Sequence, residues 1–143
     1  MKIGEPLQVL NPYDWLPGYG ESKVTFCSDG LDIVVEIIYD RVGTDAEEFS
    51  SAKRTLCFKN VSSFIKLPFP GTAVFDFVGD ATGLELGRLT EFKTSDLLML
   101  GKGSFGSEQQ KHYAIQFLSE NLSLHVVAEG YCLSEEIPVL AQL

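Results

Sequence analysis

The sequence contains two histidines and three cysteines, and such side chains can bind metals or act as bases and nucleophiles. Both histidines lie in the stretch Lys111 to Cys132, whose alternating apolar residues predict a β-hairpin turning at Glu120 and Asn121. That turn places His112 opposite Glu129. His125 is four residues from Glu129, about 13–14 Å along the strand. We therefore expect no shared metal ion and no shared catalytic role for the histidines, and a polar pair between His112 and Glu129.

The apolar pattern fixes which residues of this hairpin share a face, but it leaves open which residue is paired with which across the two strands. Phe117 opposite Leu124 and Ile115 opposite Val126 collect the apolar residues on one face and leave the other face mostly polar and half wet. A slip of one residue would bury polar groups at roughly 1–3 kcal/mol for each one left unpaired. A slip of two residues keeps the faces, so it remains an alternative.

The cysteines do not predict a disulfide framework or a zinc site, because their number is odd and their spacing has no pattern. Cys132 has the parity of the inner face, which predicts a buried, unreactive thiol, whereas Cys27 and Cys57 fall on outer faces. Neither Cys27 nor Cys57 has a histidine nearby in the sequence. Since no nucleophile, base and orienting group can be assembled, we expect no enzyme activity, no cofactor and no bound metal.

A glycine-rich motif and the carboxylates give no further chemistry. Gly101 to Gly106 matches G-x-G-x-x-G, but a strand follows it where a dinucleotide-binding fold requires a helix, so it is interpreted as a connection between strands. The acidic residues lack the spacing of a calcium loop.

Most of the remaining chain also alternates with period two. Lys23 to Asp40 predicts a second hairpin turning at Asp29 and Gly30, with Phe26 opposite Ile33 and Lys23 opposite Glu36. Ala52 to Asn60 predicts a third strand of a meander.

Shorter segments complete the prediction. Glu5 to Leu10, Thr72 to Val78 and Glu136 to Leu140 are expected to be strands, and Val61 to Gly71 is expected to hold a single helical turn. Leu84 to Leu100 fits either a strand or a short helix, of which we favour the strand. The sequence therefore predicts one all-β domain over residues 1–143, with about eight or nine mostly antiparallel, meander-like strands and at most one or two short helices. It would form a sandwich or a partly open barrel.

The net charge of −9 is unevenly spread, with −7 over residues 1–50, +4 over 51–75 and −6 over 76–143. Such a chain repels phosphate backbones and attracts basic proteins, so we expect no nucleic-acid partner. No apolar run is long enough for a membrane span, and the N-terminus does not resemble a secretory signal, so we expect a cytoplasmic protein with no membrane partner.

The function expected from these features is non-enzymatic binding of a basic protein, in the manner of small inhibitors or toxin-neutralising (immunity-type) proteins. The candidate contact residues are two aromatic and three acidic side chains: Tyr13, Trp15, Asp45, Glu47 and Glu48. The alternative is a β-barrel that binds a small molecule in a cavity lined by inner aromatic side chains. Those side chains are Phe26, Phe75, Phe77, Tyr113 and Phe117.

Overall fold

The computed structural model describes residues 1–16, 23–40, 51–70, 74–101 and 109–139, and in these ranges the chain is mostly β-strand with almost no helix. The strands are β1 (Lys2–Leu10), β2 (Lys23–Asp29), β3 (Asp32–Asp40), β4 (Ser51–Lys59), β5 (Ser63–Pro68), β6 (Asp76–Val78), β7 (Leu89–Ser95), β8 (Lys111–Phe117), β9 (Leu122–Ala128), β10 (Gly130–Leu133) and β11 (Ile137–Val139). A 3₁₀ turn spans Pro12–Asp14, and one short helix, α1, spans Asp96–Leu100. The all-β prediction is confirmed.

The strands form two sheets. The first sheet has six strands in the order β5-β9-β8-β7-β1-β6, antiparallel except for the parallel pair of β1 and β6. The second sheet has the order β10-β4-β3-β2, and β11 also pairs with β4. Eleven described strands exceed the predicted eight or nine because β6, β10 and β11 have only three or four residues each.

The main hydrophobic core lies between the sheets. Phe58 of β4 is completely buried, and its ring centroid lies 5.8 Å from that of Tyr113 on β8 of the other sheet. Leu56, Ile115 and Leu124 belong to the same buried cluster. The prediction that Ile115 and Leu124 lie on the apolar face of the main hairpin is thus confirmed.

The first sheet is also covered on its second face, where the sequence predicts a half-wet surface. All seven residues of β9 are buried, because Phe75, Phe77 and Leu84 pack over Ile3, Phe92 and Ala114 on that face. A central strand covered on both sides loses its apolar and polar alternation, and Val126-Val127-Ala128 is such a continuous apolar run. The polar residues that this strand carries on the second face, Ser123 and His125, are therefore buried.

In both predicted hairpins the assignment of residues to the two faces is confirmed. In both, however, each residue is paired with one two positions away from its predicted partner. Ile115 faces Leu124, and Phe26 faces Val35. Lys23 accordingly faces Ile38, and the salt bridge of Glu36 is formed with Lys53 on β4 at 3.0 Å. The predicted pair of Lys23 with Glu36 is wrong.

Three local predictions change in extent or type. Residues 63–68 of the segment predicted to hold a helical turn form β5, which pairs with β9 as the edge of the first sheet. The uncertain stretch from Leu84 to Leu100 contains both alternatives in succession, β7 and then α1. The strand predicted from Thr72 begins at Asp76 within the described residues, and positions 102–106 of the glycine-rich motif lie outside them.

Candidate functional site: a buried serine–histidine–histidine chain

The two histidines, predicted to be far apart, are in direct contact. In the observed register His112 faces Val127 and His125 faces Ala114, so the histidines are diagonal neighbours on one face. Diagonal neighbours on paired strands are close enough for ring side chains to meet. His112 Nε2 lies 2.9 Å from His125 Nδ1. The predicted separation of the two histidines is wrong, because the two-residue shift brings their rings into contact.

The third member of the chain is Ser95, at the junction of β7 and α1. Its hydroxyl accepts a hydrogen bond from the backbone N–H of Leu98 at 3.1 Å and so caps the helix. The same oxygen lies 2.5 Å from His112 Nδ1. Ser95, His112 and His125 thus form a continuous hydrogen-bonded chain, which we call the Ser–His–His chain.

The predicted pair of His112 with Glu129 is also absent from the hairpin. Glu129 is exposed, and its carboxylate accepts a hydrogen bond from the side-chain amide of Asn60 at 2.8 Å. His112 is fully buried and makes its polar contacts with Ser95 and His125.

Aromatic rings enclose the two imidazoles. Phe75 stacks on His125 with a centroid separation of 4.0 Å and an interplanar angle of 21°. Phe92 packs edge-on against His112 at 5.2 Å. Removal from water disfavours the charged imidazolium. Burial, together with the neighbouring His125, lowers the pKa of His112 to about 3, and burial lowers the pKa of His125 to about 4. Both rings are therefore neutral at pH 7.

The distances fit both tautomers of His112, and we assign the one in which the Ser95 hydroxyl donates, because it gives that hydroxyl proton an acceptor. Ser95 Oγ already accepts from Leu98, and among the described residues His112 Nδ1 is the acceptor in reach of its hydroxyl proton. A neutral His112 that accepts at Nδ1 carries its proton on Nε2 and donates it to His125 Nδ1. His125 then carries its proton on Nε2. The chain thus delivers one N–H donor at the far edge of His125.

That edge opens on a pocket of about 270 Å³ outside the main core, which we call the apolar pocket. Its walls include Phe75, Leu84, Leu86 and Phe92, and its polar lining residues are Gln116, Ser123 and His125. Among the described residues, His125 Nε2 has no hydrogen-bond partner. The atom retains some solvent-accessible surface. The N–H donor is therefore accessible from the pocket.

The other end of the Ser–His–His chain lies at a second depression. Ser95 lines a groove of about 650 Å³ whose charged residues are Lys2, Glu5, Asp80 and Asp96. Three carboxylates against one ammonium give this acidic groove a negative potential. Asp96 is partly engaged already, since it accepts the backbone N–H of Lys2 at 2.7 Å.

The two predicted contact residues that the structure describes, Tyr13 and Trp15, do not form an exposed surface. Trp15 is half-buried, with its ring 5.1 Å from that of Tyr39 and the Arg54 guanidinium 5.1 Å above it. Tyr13 packs so closely on Gly87 that a Cβ there would lie 2.7 Å from the Tyr13 ring. Both aromatic side chains pack against the main core. Asp45, Glu47 and Glu48 lie outside the described residues.

The five aromatic residues of the alternative hypothesis do not line one cavity either. Tyr113 and Phe117 fill the core between the sheets, whereas Phe75 and Phe77 pack over the outer face of the first sheet. Phe26 is 37% exposed. Of these five residues, the apolar pocket beside His125 is lined by Phe75 alone.

The cysteine predictions are partly wrong. Cys132 is exposed. The strand that carries it, β10, pairs with β4 of the second sheet, so the alternation of inner and outer residues along β9 does not continue into β10. Cys27 is exposed and Cys57 is half-buried, as their predicted outer positions imply. All three thiols are free.

Two absences hold within the described ranges. No group of three or more histidine, cysteine or acidic side chains is placed to hold a metal ion. No helix in these ranges combines the length and the apolar character that a membrane span needs. No protein-family model matches the chain, and neither the curated proteins nor the solved structures contain a significant match to it.

Proposed function

We propose that the protein is a non-enzymatic binder of a small, largely apolar molecule that carries one hydrogen-bond acceptor, held in the apolar pocket. The observation that carries this proposal is the position of His125, which ends the Ser–His–His chain and lines a pocket walled by Phe75, Leu84 and Phe92; in the assigned direction of the chain its Nε2 carries the N–H donor. Ligand sites commonly combine an apolar lining with a few fixed polar groups. At about 270 Å³ the pocket lies just below the usual range of roughly 300–1,000 Å³, so the ligand is small.

The protonation state of His125 selects the kind of acceptor. Burial lowers the pKa of His125 to about 4, so the ring offers a neutral N–H donor at pH 7 and no positive charge. A neutral carbonyl matches this donor. An anionic head group would have to leave water without a countercharge from His125, which is costly.

The same chain is a poor catalyst, which supports a binding role. A general base works best when its pKa lies near the working pH. The pKa of His112, lowered to about 3 by burial and by His125, makes it a weak base for the Ser95 hydroxyl. That hydroxyl oxygen also serves as the acceptor that caps α1.

A matched ligand pair tests the proposal. Acetophenone and ethylbenzene share a phenyl ring and a two-carbon side chain, and acetophenone alone has a carbonyl. We expect acetophenone to bind more tightly than ethylbenzene by about 5–10-fold, the equivalent of one hydrogen bond of about 1–1.5 kcal/mol. In a titration followed by ¹⁵N NMR of the histidine rings, acetophenone should change the chemical shift of His125 Nε2 and ethylbenzene should not.

Two variants make this test specific. His125→Phe should bind both compounds with equal affinity, because the pocket keeps its apolar walls and loses its donor. Thr25→Ala, on the exposed face of β2, is the control and should retain the preference for acetophenone. Equal affinity of the unchanged protein for the two compounds, or the absence of saturable binding, would refute the proposal.

A second proposed function is the binding of a basic protein segment, favoured by the three carboxylates of the acidic groove. The groove lies against β6, a three-residue strand at the edge of the first sheet whose Asp76 and Val78 are exposed. Edge strands can pair with an added peptide strand. A cytoplasmic location belongs to this proposal, supported by the three free thiols.

The groove is tested with an oligolysine peptide, by calorimetry at low salt and at 0.5 M salt. We expect binding to weaken several-fold at the higher salt, because exposed charge pairs are screened. The double variant Glu5→Gln with Asp80→Asn should weaken binding at low salt. The matched variant Asp14→Asn with Asp29→Asn changes the net charge equally away from the groove and should bind as the unchanged protein does. An equal loss of binding in the two variants would mean that net charge alone causes the binding, and this would count against the groove.

A further inference from the structure

All three cysteines lie in one row across the exposed face of the second sheet. Cys27 on β2 faces Val34 on β3, Val34 faces Cys57 on β4, and Cys57 faces Cys132 on β10. Residues directly opposite on neighbouring strands share a face. Cys57 and Cys132 are therefore adjacent thiols, although 75 positions separate them in the sequence.

The separation of this pair follows from the hydrogen-bond pattern. Ser134 donates its backbone N–H to the carbonyl of Thr55 at 2.9 Å. Hydrogen-bonded pairs recur at every second position of an antiparallel ladder, so Cys132 and Cys57 are also such a pair, with Cα atoms about 5.5 Å apart. Disulfides have Cα separations of about 4.4–6.8 Å, most often about 5.5–6 Å. The backbone is already at disulfide distance.

Cys27 is too far away to compete within the same molecule. One whole strand, β3, separates Cys27 from Cys57, which corresponds to about 9–10 Å across the sheet. A disulfide between these two would require the sheet to open. The row therefore contains one pair that can be bridged and one isolated thiol.

The two thiols of the pair differ in a way that suits stepwise exchange. Cys132 is exposed on the edge strand β10 and is accessible to a soluble reagent. Cys57 is half-buried, and this burial raises its pKa, while the adjacent Lys59 ammonium acts in the opposite direction and favours the thiolate. Lys59 also forms a salt bridge with Asp32 at 3.2 Å, which holds it beside Cys57.

We propose that Cys57 and Cys132 are a thiol pair that a low-molecular-mass disulfide, such as oxidised glutathione, converts reversibly into an intramolecular disulfide. The Cys132 thiolate attacks one sulfur of the reagent, a sulfur–sulfur bond forms, and one thiol of the reagent leaves. The Cys57 thiolate then attacks Cys132 Sγ and expels the second thiol. The protein loses two protons and two electrons, and the reagent is reduced to two thiols. The bond fastens the edge strand β10 to β4.

The experiment uses the full chain carrying Cys27→Ser, which removes the isolated thiol. After equilibration with excess oxidised glutathione, we expect the protein mass to fall by about 2 Da, the mass of two hydrogen atoms. Non-reducing peptide mapping should then join the peptides that contain Cys57 and Cys132, and dithiothreitol should restore the original mass. A protein that gains glutathione at either cysteine, or that keeps both thiols free, overturns the proposal.

A second measurement covers the possibility that a variant folds poorly. Phenylarsine oxide binds two adjacent thiols together and so reports their proximity in the unchanged protein. We expect one arsenical per chain, bound so that excess monothiol does not remove it, and no such retention in Cys132→Ser or Cys57→Ser. Circular dichroism of each variant checks that the fold is kept. Retention of the arsenical by Cys132→Ser, or its loss from Cys27→Ser, would contradict the assignment of the pair.

Discussion

Lowering the pH from 7.5 to 4.5 is expected to reduce the free energy of unfolding by roughly 3–5 kcal/mol, because both buried histidines must remain neutral in the folded protein. An unfolded histidine titrates near pH 6.5. The pKa of His112 is lowered to about 3 by burial and by His125, and that of His125 to about 4 by burial. Between pH 6.5 and pH 4 the unfolded chain therefore binds protons that the folded chain does not. The stability that the two neutral histidines contribute is fully present above pH 6.5, and it is lost as the pH falls from 6.5 toward 4.

The magnitude follows from about 1.4 kcal/mol for each pKa unit and each group. Two histidines over two pH units give at most about 5 kcal/mol, which water entry into the site would reduce. This is a large fraction of the roughly 5–15 kcal/mol that stabilises a typical protein. The measurement is urea denaturation at a series of pH values, followed by the fluorescence of Trp15.

Among the described residues, the other groups with shifted pKa values do not account for the same window. The pKa of Asp32 is lowered by the backbone N–H of Asn60 and by Lys59, so its contribution is lost below about pH 3.8. The net charge of −9 also becomes smaller on acidification, which relieves self-repulsion and acts in the opposite direction. The double variant His112→Gln with His125→Gln is the control, since its stability should change little between pH 7 and 4.5. A stability of the unchanged protein that is level from pH 7 to 5 would contradict the prediction.

Replacement of Phe58 with alanine is expected to lower the free energy of unfolding by about 3–5 kcal/mol, the usual cost of truncating a buried phenylalanine. Phe58 is 0% exposed and contacts the Tyr113 ring across the two sheets. Its loss would leave a cavity in the main core. The measurement is chemical denaturation at pH 7.5.

The matched control is Phe26→Ala. Phe26 also extends from the second sheet to an aromatic ring of the first, with a centroid distance of 5.1 Å to Phe64, but it is 37% exposed. We expect a loss of about 1–2 kcal/mol for this variant, because part of the ring remains in contact with water in the folded state. Similar losses for the two variants would mean that the core is not centred between Phe58 and Tyr113.

The sequence predicts which residues share a face better than it predicts which residues are opposite each other. For β2 and β3, an Asp-Gly turn was expected at Asp29 and Gly30, but the turn is formed by Gly30 and Leu31. Gly30 has φ of +63° at the first central position. A two-residue turn with glycine first is a common hairpin turn, and choosing it moves the register by two.

The main hairpin is shifted for a related reason. Its loop has four residues, 118–121, and ends at Asn121 with φ of +51°, a left-handed conformation that asparagine tolerates better than most residues. The apolar pattern does not distinguish this loop from a two-residue turn, because both keep the same faces. The predicted distance between the histidines depended on the absolute register, which the pattern does not supply.

The second covered face is the other feature that sequence reasoning missed. The stretch around Phe75 packs over Ile3, Phe92 and Ala114 from distant parts of the chain, and that long-range packing has no local pattern. The signal that was present is the continuous run Val126-Val127-Ala128, which is typical of a strand buried on both sides. Given that signal, His125 on the same strand would have been predicted as a buried histidine in need of a partner.

The most direct test of the Ser–His–His chain is the ¹⁵N NMR spectrum of its two imidazole rings, recorded at pH 7 and pH 5. The structure predicts that both rings are neutral at both pH values, since their pKa values are lowered to about 3 and about 4. His112 and His125 should each carry the proton on Nε2, which is the direction that we assign to the chain. A proton on Nδ1 of His112, or protonation of either ring near pH 6.5, would contradict the chain and the donor that it presents to the apolar pocket.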